Sequence, residues 1–202
     1  MSKIMLFFRF LLLGCLGGLL AACTASSPRV SYYSLLGATP QRGTDKGNDT
    51  LVLNIGPVTL PGVLKKTFIA TGGTDGRFTI NEFHRWTGDV DREFSRALAE
   101  QLANRLGTEH VMIFPGDQHL DPNCQVQLDI VAMDGDLGKD AKMRVRWTLI
   151  DPKGKWSTVS RLSQFSEHPA DADYGAWVIA QQHNIGKLSD EIAIALKGRM
   201  KL

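Results

Sequence analysis

Hydrophobic and polar positions alternate with two different periods along this chain. From Asp89 to Leu106 the spacing is helical: Val90, Phe94, Ala97, Leu98, Leu102 and Leu106 fall on one stripe. Asp89 is placed to cap this helix, Asp91 and Glu93 suit the positive end of its dipole, and Gly107 is placed to stop it. A second stripe runs through Tyr174, Trp177, Val178, Gln181, Ile185, Leu188, Ile192 and Leu196. It predicts a long helix from Asp171 to about Leu196, weakened in its middle by Gly186.

Elsewhere the period is two. Tyr32–Leu36 reads as a first strand and Leu51–Ile55 as a second, ending at Pro57. Gly37 to Thr50 shows no apolar period and predicts a flexible loop. Thr67–Ala70 and Phe78–Ile80 flank the glycine-rich Gly72–Gly76, a hairpin signal. Neither a Lys-Ser/Thr pair nor a helix follows those glycines, so a phosphate cradle is the weaker reading. His110–Phe114 predicts a short strand. In Gln125–Ala132, Val126, Leu128, Ile130 and Ala132 face one way, and Gln125, Gln127 and Asp129 the other. In Lys142–Ile150, Met143, Val145, Trp147 and Leu149 oppose Arg144, Arg146 and Thr148. Asp151–Gly154 is a turn, and Lys155–Phe165 a further strand. Strands with one apolar face need cover on that face alone, and the two helices supply it. The fold class is therefore α+β: an antiparallel or mixed sheet with two amphipathic helices packed on one face.

The first residues follow another pattern. Lys3 and Arg9 precede an apolar run from Phe10 to Leu20. That run falls short of the about 20 residues a membrane span needs, and suits the core of an export signal. It closes on Leu20-Ala21-Ala22-Cys23, which resembles the bacterial lipobox. The resemblance implies cleavage before Cys23, a diacylglycerol on its thiol and an acyl chain on the new amine. It also implies, from Thr24 in place of an aspartate, export onward to the outer membrane. Leu12-Leu13-Gly14-Cys15 is a poorer match, because cleavage there leaves almost no apolar core. The chain divides into a signal over 1–22, a lipidated tether over 23–31 and one domain over 32–202. Fully extended, Thr24–Ser31 reaches at most about 28 Å, which holds the domain near its membrane.

Charge and cysteine content narrow the field further. The formal charge is +2, but Lys3 and Arg9 leave with the signal and no acid does. The mature chain balances, so nucleic acid is not an expected partner. With Cys23 acylated, Cys124 is the one remaining thiol; no internal disulfide can form, and Cys124 reads as a buried small hydrophobe.

Candidate chemistry is sparse. His84, His110, His119, His168 and His183 show no metal-ligand spacing, and no Gly-x-Ser-x-Gly elbow occurs. The aspartates of Met133–Asp140 mimic the opening of a calcium loop without its closing glutamate, so a hairpin turn is the better reading. Neither a metal nor a cofactor is expected, apart from the covalent lipid on Cys23. Arg85-Trp86 reads as a core plug with a rim cation; a binding feature is the alternative. Gln127, Asp129, Arg144 and Arg146 form a polar sheet face. It is either solvated, with cross-strand pairs, or a contact surface for a partner or sister subunit.

Read in order, these features resemble the ABC-type transport auxiliary lipoprotein family, in its PqiC-like branch. The matching positions are Tyr32-Tyr33-Ser34-Leu35, Ile55-Gly56-Pro57-Val58-Thr59-Leu60-Pro61, Arg85-Trp86 ahead of Leu98-Ala99-Glu100-Gln101-Leu102, and Trp147-Thr148-Leu149 before the Gly154 turn. Gln181-Gln182 and Leu188-Ser189 in the closing helix match as well. These are patterned positions, not catalytic signatures. The resemblance implies a non-enzymatic outer-membrane component of a lipid transport system that supports membrane integrity. Its implied partner is an MCE-domain tunnel protein (PqiB-like), and it implies assembly into a homo-oligomeric ring. Cys23 is the one functional residue it assigns. A lipid-binding carrier lipoprotein is the alternative, and it needs an apolar cavity between helices and sheet.

Overall fold

The computed structural model describes residues 28–37, 50–115 and 121–200. Cys23, the signal and most of the Gly37–Thr50 loop lie outside them. The elements are β1 (Ser31–Tyr33), β2 (Leu53–Thr59), a 3-10 turn (Gly62–Lys65), β3 (Phe68–Gly72), β4 (Phe78–Trp86), α1 (Val90–Leu106), β5 (Val111–Ile113), β6 (Cys124–Asp134), β7 (Ala141–Ile150), β8 (Val159–Glu167) and α2 (Tyr174–Met200). The α+β class holds, with the strands divided between a 5-stranded sheet, β5-β2-β6-β7-β8, and a 3-stranded sheet, β1-β4-β3. The larger sheet is mixed: β2 runs parallel to β5 and β6, while β6, β7 and β8 are antiparallel.

Both helices lie on the same face of the larger sheet, α1 over β2 and β5, α2 over β7 and β8. The inner positions of β6 and β7 (Val126, Leu128, Ile130, Val145, Trp147, Leu149) meet the predicted stripes of both helices, every member of which is buried. The smaller sheet joins this core through aromatic rings. Trp86 stands 6.5 Å from Trp177 of α2, and His84 stacks on Tyr174 at 3.9 Å while its Nδ1 meets the Tyr33 hydroxyl at 2.8 Å. The sheets also touch through paired backbone hydrogen bonds of 2.8 Å between Gly72 and Gly135.

Several boundaries differ from the sequence reading, each for a local reason. The first strand ends at Tyr33, not Leu36, because the Ser34 hydroxyl takes the Leu36 amide (3.1 Å) and turns the chain. The hydroxyl also donates to buried Glu93 of α1, and Gln182 of α2 donates to the Ser34 carbonyl (2.9 Å). Strand β2 continues through Pro57 to Thr59. Strand β4 runs on to Trp86, past an irregularity where the Asn81 carboxamide accepts the Phe83 amide (3.0 Å). A bulge between Ile130 and Ala132 shifts the pleat of β6, so Met133 is buried where alternation predicts Ala132. The last strand begins at Val159, not Lys155, because the Asp151 carboxylate gathers the amides of Lys153, Lys155 and Trp156 and holds that stretch as a loop.

Asp89 occupies the N-cap position of α1, yet its carboxylate makes no capping bond. Gly107 does close that helix, in the left-handed conformation at φ 67°. The second helix starts at Tyr174 because Asp173, rather than Asp171, caps it: its carboxylate accepts the Ala176 amide at 2.8 Å.

Candidate functional site

With both helices on one face, the opposite face of the larger sheet is left uncovered, and its side chains are set by strand register. Asp129 of β6 stands opposite Arg146 of β7, which stands opposite Leu162 of β8. On the other side Thr59 of β2 donates its hydroxyl to the Asp129 carboxylate at 2.9 Å. One row up, Gln127 faces Thr148, whose hydroxyl meets that of Ser160 at 3.1 Å. One row down, Ala132 faces Arg144 and then Gln164.

The structure thus brings Gln127, Asp129, Arg144 and Arg146 onto one outward surface. Among the described residues, Asp129 and Arg146 close no ion pair although they are in register, which leaves the guanidinium free toward solvent. Leu162, 48% exposed, places an apolar side chain at the edge-strand end of this polar row. Beside it a groove of about 510 Å³ runs between Asp134, Lys142, Arg144, Gln164, Ser166 and Thr74. Burial raises the Asp134 carboxyl above its usual range, against the pull of Lys142 and Arg144. The groove is an open trough with cations on one wall, a shape suited to an extended or acidic surface rather than to enclosing a small molecule.

Arg85-Trp86 resolves as a core plug with a rim cation: Trp86 is buried and the Arg85 guanidinium lies 5.0 Å over the Phe68 ring. Burial also pushes the Cys124 thiol up to about 12. The sequence reading missed the group most like a catalytic triad. At the head of β7 the Asp140 carboxylate meets His168 at 2.9 Å and the Ser166 hydroxyl at 3.0 Å. A working triad needs the serine to donate to the histidine. Here both turn to the aspartate, so the hydroxyl has no base, and the three groups stand on an exposed surface. No signal in the sequence marks this cluster, because the strand turn that assembles it separates its members.

Among the described residues, the two-layer α+β domain thus offers a polar sheet face that neither helix covers. The model of the ABC-type transport auxiliary lipoprotein component matches residues 33–193, and the chain belongs to that family. No curated protein matches it. A crystal structure of an uncharacterized protein shares the fold at a TM-score of 0.67 and 17% identity, over 83% of this chain and 99% of that one. A Xanthomonas campestris protein of the DUF330 family does so at 0.64 and 10% identity, over 85% and 98%. Among the described residues no helix is long and apolar enough to cross a membrane. Membership of a lipoprotein family makes attachment to a membrane the chain's expected state.

Proposed function

We propose that this protein is an outer-membrane lipoprotein, acylated at Cys23, whose domain docks an MCE-type intermembrane lipid transporter. The observation that carries the reading is the family match, which runs from Tyr33 at the end of β1 to Ala193 within α2 and so covers most of the two-layer domain. The lipobox supplies the anchor, and the outer face with Gln127, Asp129, Arg144 and Arg146 supplies a surface for the MCE-domain partner or for sister copies in a ring. The role is non-enzymatic. The Ser166–Asp140–His168 cluster lacks the serine-to-histidine bond, and the balanced charge of the mature chain offers nucleic acid nothing.

A lipid carrier needs an apolar chamber between helices and sheet. That space is occupied by Phe94, Leu98, Trp147 and Trp177, each no more than 1% exposed. The docking reading is therefore preferred.

Mild crosslinking in cells followed by detergent extraction tests it. The wild-type chain is expected to recover an MCE-domain protein, and the double variant Arg144→Glu/Arg146→Glu much less of it. Recovery of no MCE-domain protein by the wild type overturns the reading. Cys23→Ser is expected to release the chain from the membrane fraction.

A further inference from the structure

Two strongly exposed apolar side chains share one end of the smaller sheet. Phe78 and Ile80, at the start of β4, are 41% and 51% exposed. They lie two residues apart and so project from the same face of the strand. The turn that presents them is closed upon itself. The Gly73 amide donates to the Arg77 carbonyl (2.7 Å), the Gly76 amide to the Gly73 carbonyl (3.1 Å), and the Arg77 amide to the Asp75 carboxylate (3.0 Å). The Phe78 ring lies directly over Gly73, where a side chain's Cβ would come within 2.6 Å of it. The hairpin is thus a stiff projection, and docking it elsewhere costs little conformational entropy.

Strand direction turns the chain upstream of β1 toward this projection. Strand β1 runs parallel to β4, with Ser31 level with His84. The chain upstream of Ser31 therefore points toward the beginning of β4, where Ile80 and Phe78 stand. Along β4, His84 to Ile80 covers roughly 13 Å at strand rise. Between Cys23 and Pro28 the chain reaches at most about 18 Å. On the reading that Cys23 carries the lipid, the hairpin lies within the radius that the tether allows. Arg29 and Arg77 lie near it along the chain, as do Asp75 and Glu82, so its rim carries both signs and its exposed tip is apolar. Apolar side chains on such a projection bury themselves at the headgroup boundary of a phospholipid leaflet.

We propose that the β3–β4 hairpin is a second membrane contact. Phe78 and Ile80 lodge in the interfacial layer of the same phospholipid leaflet that holds the Cys23 anchor. Two attachments, one covalent and one through the hairpin, fix the tilt of the domain and set which surface faces away from the bilayer.

The test uses the acylated full chain in vesicles of mixed phosphatidylethanolamine and phosphatidylglycerol. Single cysteines at Ile80→Cys, Thr74→Cys and, as a control on α2, Ile194→Cys carry an environment-sensitive fluorophore. Cys124 is buried and does not compete for the label. Lipids with quenchers on the upper acyl chain are expected to quench the labels at 80 and 74 at least about twofold more than that at 194, since interfacial groups sit about 5–10 Å into the headgroup boundary. Thr74 replaces no apolar surface, so it reports even if the change at Ile80 weakens the contact. Equal, weak quenching at all three positions in a chain whose intact mass includes the acyl groups overturns the hairpin contact alone. A chain without acyl mass that fails to float with the vesicles overturns the anchor, and the hairpin proposal with it.

Discussion

Gln181, fully buried on α2, donates its side-chain amide to the Lys142 carbonyl of β7 at 3.2 Å. The same nitrogen reaches the Asp134 carbonyl of β6 at 3.3 Å. Asn184 donates to the Ala141 carbonyl (2.9 Å), and the Trp177 indole to the Gly135 carbonyl (3.1 Å). One helix face thus satisfies backbone carbonyls at the turn end of the β6–β7 hairpin, where Asp134 and Lys142 are the last residues in paired register. Replacing Gln181 with leucine keeps the volume and strands buried carbonyls, at a cost of about 1–3 kcal/mol. Denaturant unfolding measures that loss. Hydrogen exchange at the Gly72–Gly135 bridge is expected to accelerate with it, because the hairpin end loses its hold.

Trp147 closes the core from the sheet side, and it is also tied to the edge strand: its indole donates to the Ser163 hydroxyl at 3.0 Å, which in turn donates to Glu191 at 2.9 Å. Trp147→Ala opens a cavity between sheet and α2 and is expected to cost about 3–5 kcal/mol. Trp147→Phe retains most of the volume and is expected to lose much less. Equal losses for the two variants in chemical denaturation would show that the indole hydrogen bond, not volume, dominates at this position.

The readable and unreadable parts of this fold separate by the range of the interaction involved. Both helical stripes and the alternation of β7 are local periods, and every stripe residue named from the sequence is buried. What periodicity does not carry is an inserted residue or a side chain that captures amides. The bulge of β6 exchanged Met133 for Ala132, and Asp151 postponed β8 by holding the amides after the turn. Strand partners are less legible still. That β2 lies between β5 and β6, and that β1 pairs with β4 in a separate sheet, depends on contacts between distant segments. The outward positions Gln127, Asp129, Arg144 and Arg146 followed from alternation alone. Leu162 entered their row only through register with a strand whose start the sequence reading had misplaced.

The Gly186 position offers a gain in stability. It lies inside α2, and its carbonyl accepts a hydrogen bond from Arg105 of α1 at 3.2 Å. A Cβ there would meet the Arg105 guanidinium at 3.7 Å, an ordinary contact. Gly186→Ala is therefore expected to stabilise the domain by about 0.8–1 kcal/mol, the helix-interior difference between the two residues. A higher Tm with an unchanged denaturant slope confirms it. A lower Tm would mean that the helices approach more closely in solution than this geometry gives.

Cys124 provides a check on the packing of β6. Desolvation carries its thiol to about 12, far above the free-thiol value of about 8.5. In the folded, acylated chain a thiol reagent at about pH 8 is expected to find no fast-reacting group. Unfolding in guanidinium is expected to release one. Rapid labelling without denaturant would show that the start of β6 opens locally.

Glu167 ties the end of β8 to α2 and gives stability a pH dependence of definite sign. Lys187 approaches its carboxylate at 2.6 Å and His183 at 3.2 Å. The Lys187 hydrogen bond, and after it that of His183, outweigh the cost of desolvation and hold the carboxyl below its ordinary 4.5. In the unfolded chain the group takes up its proton near 4.5; in the native state it does so only at lower pH. The native state is therefore favoured fully above the ordinary value, and that advantage is lost as pH falls through the lowered one. Thermal unfolding of wild type and Glu167→Gln is expected to show the wild type higher in Tm at neutral pH, with the gap closing as pH drops below about 4.5. Because the pair is partly exposed, the gap at neutral pH is expected to be small and to shrink further in high salt. A gap that stays constant down to strongly acidic pH would assign the effect of the substitution to packing at the strand end rather than to charge.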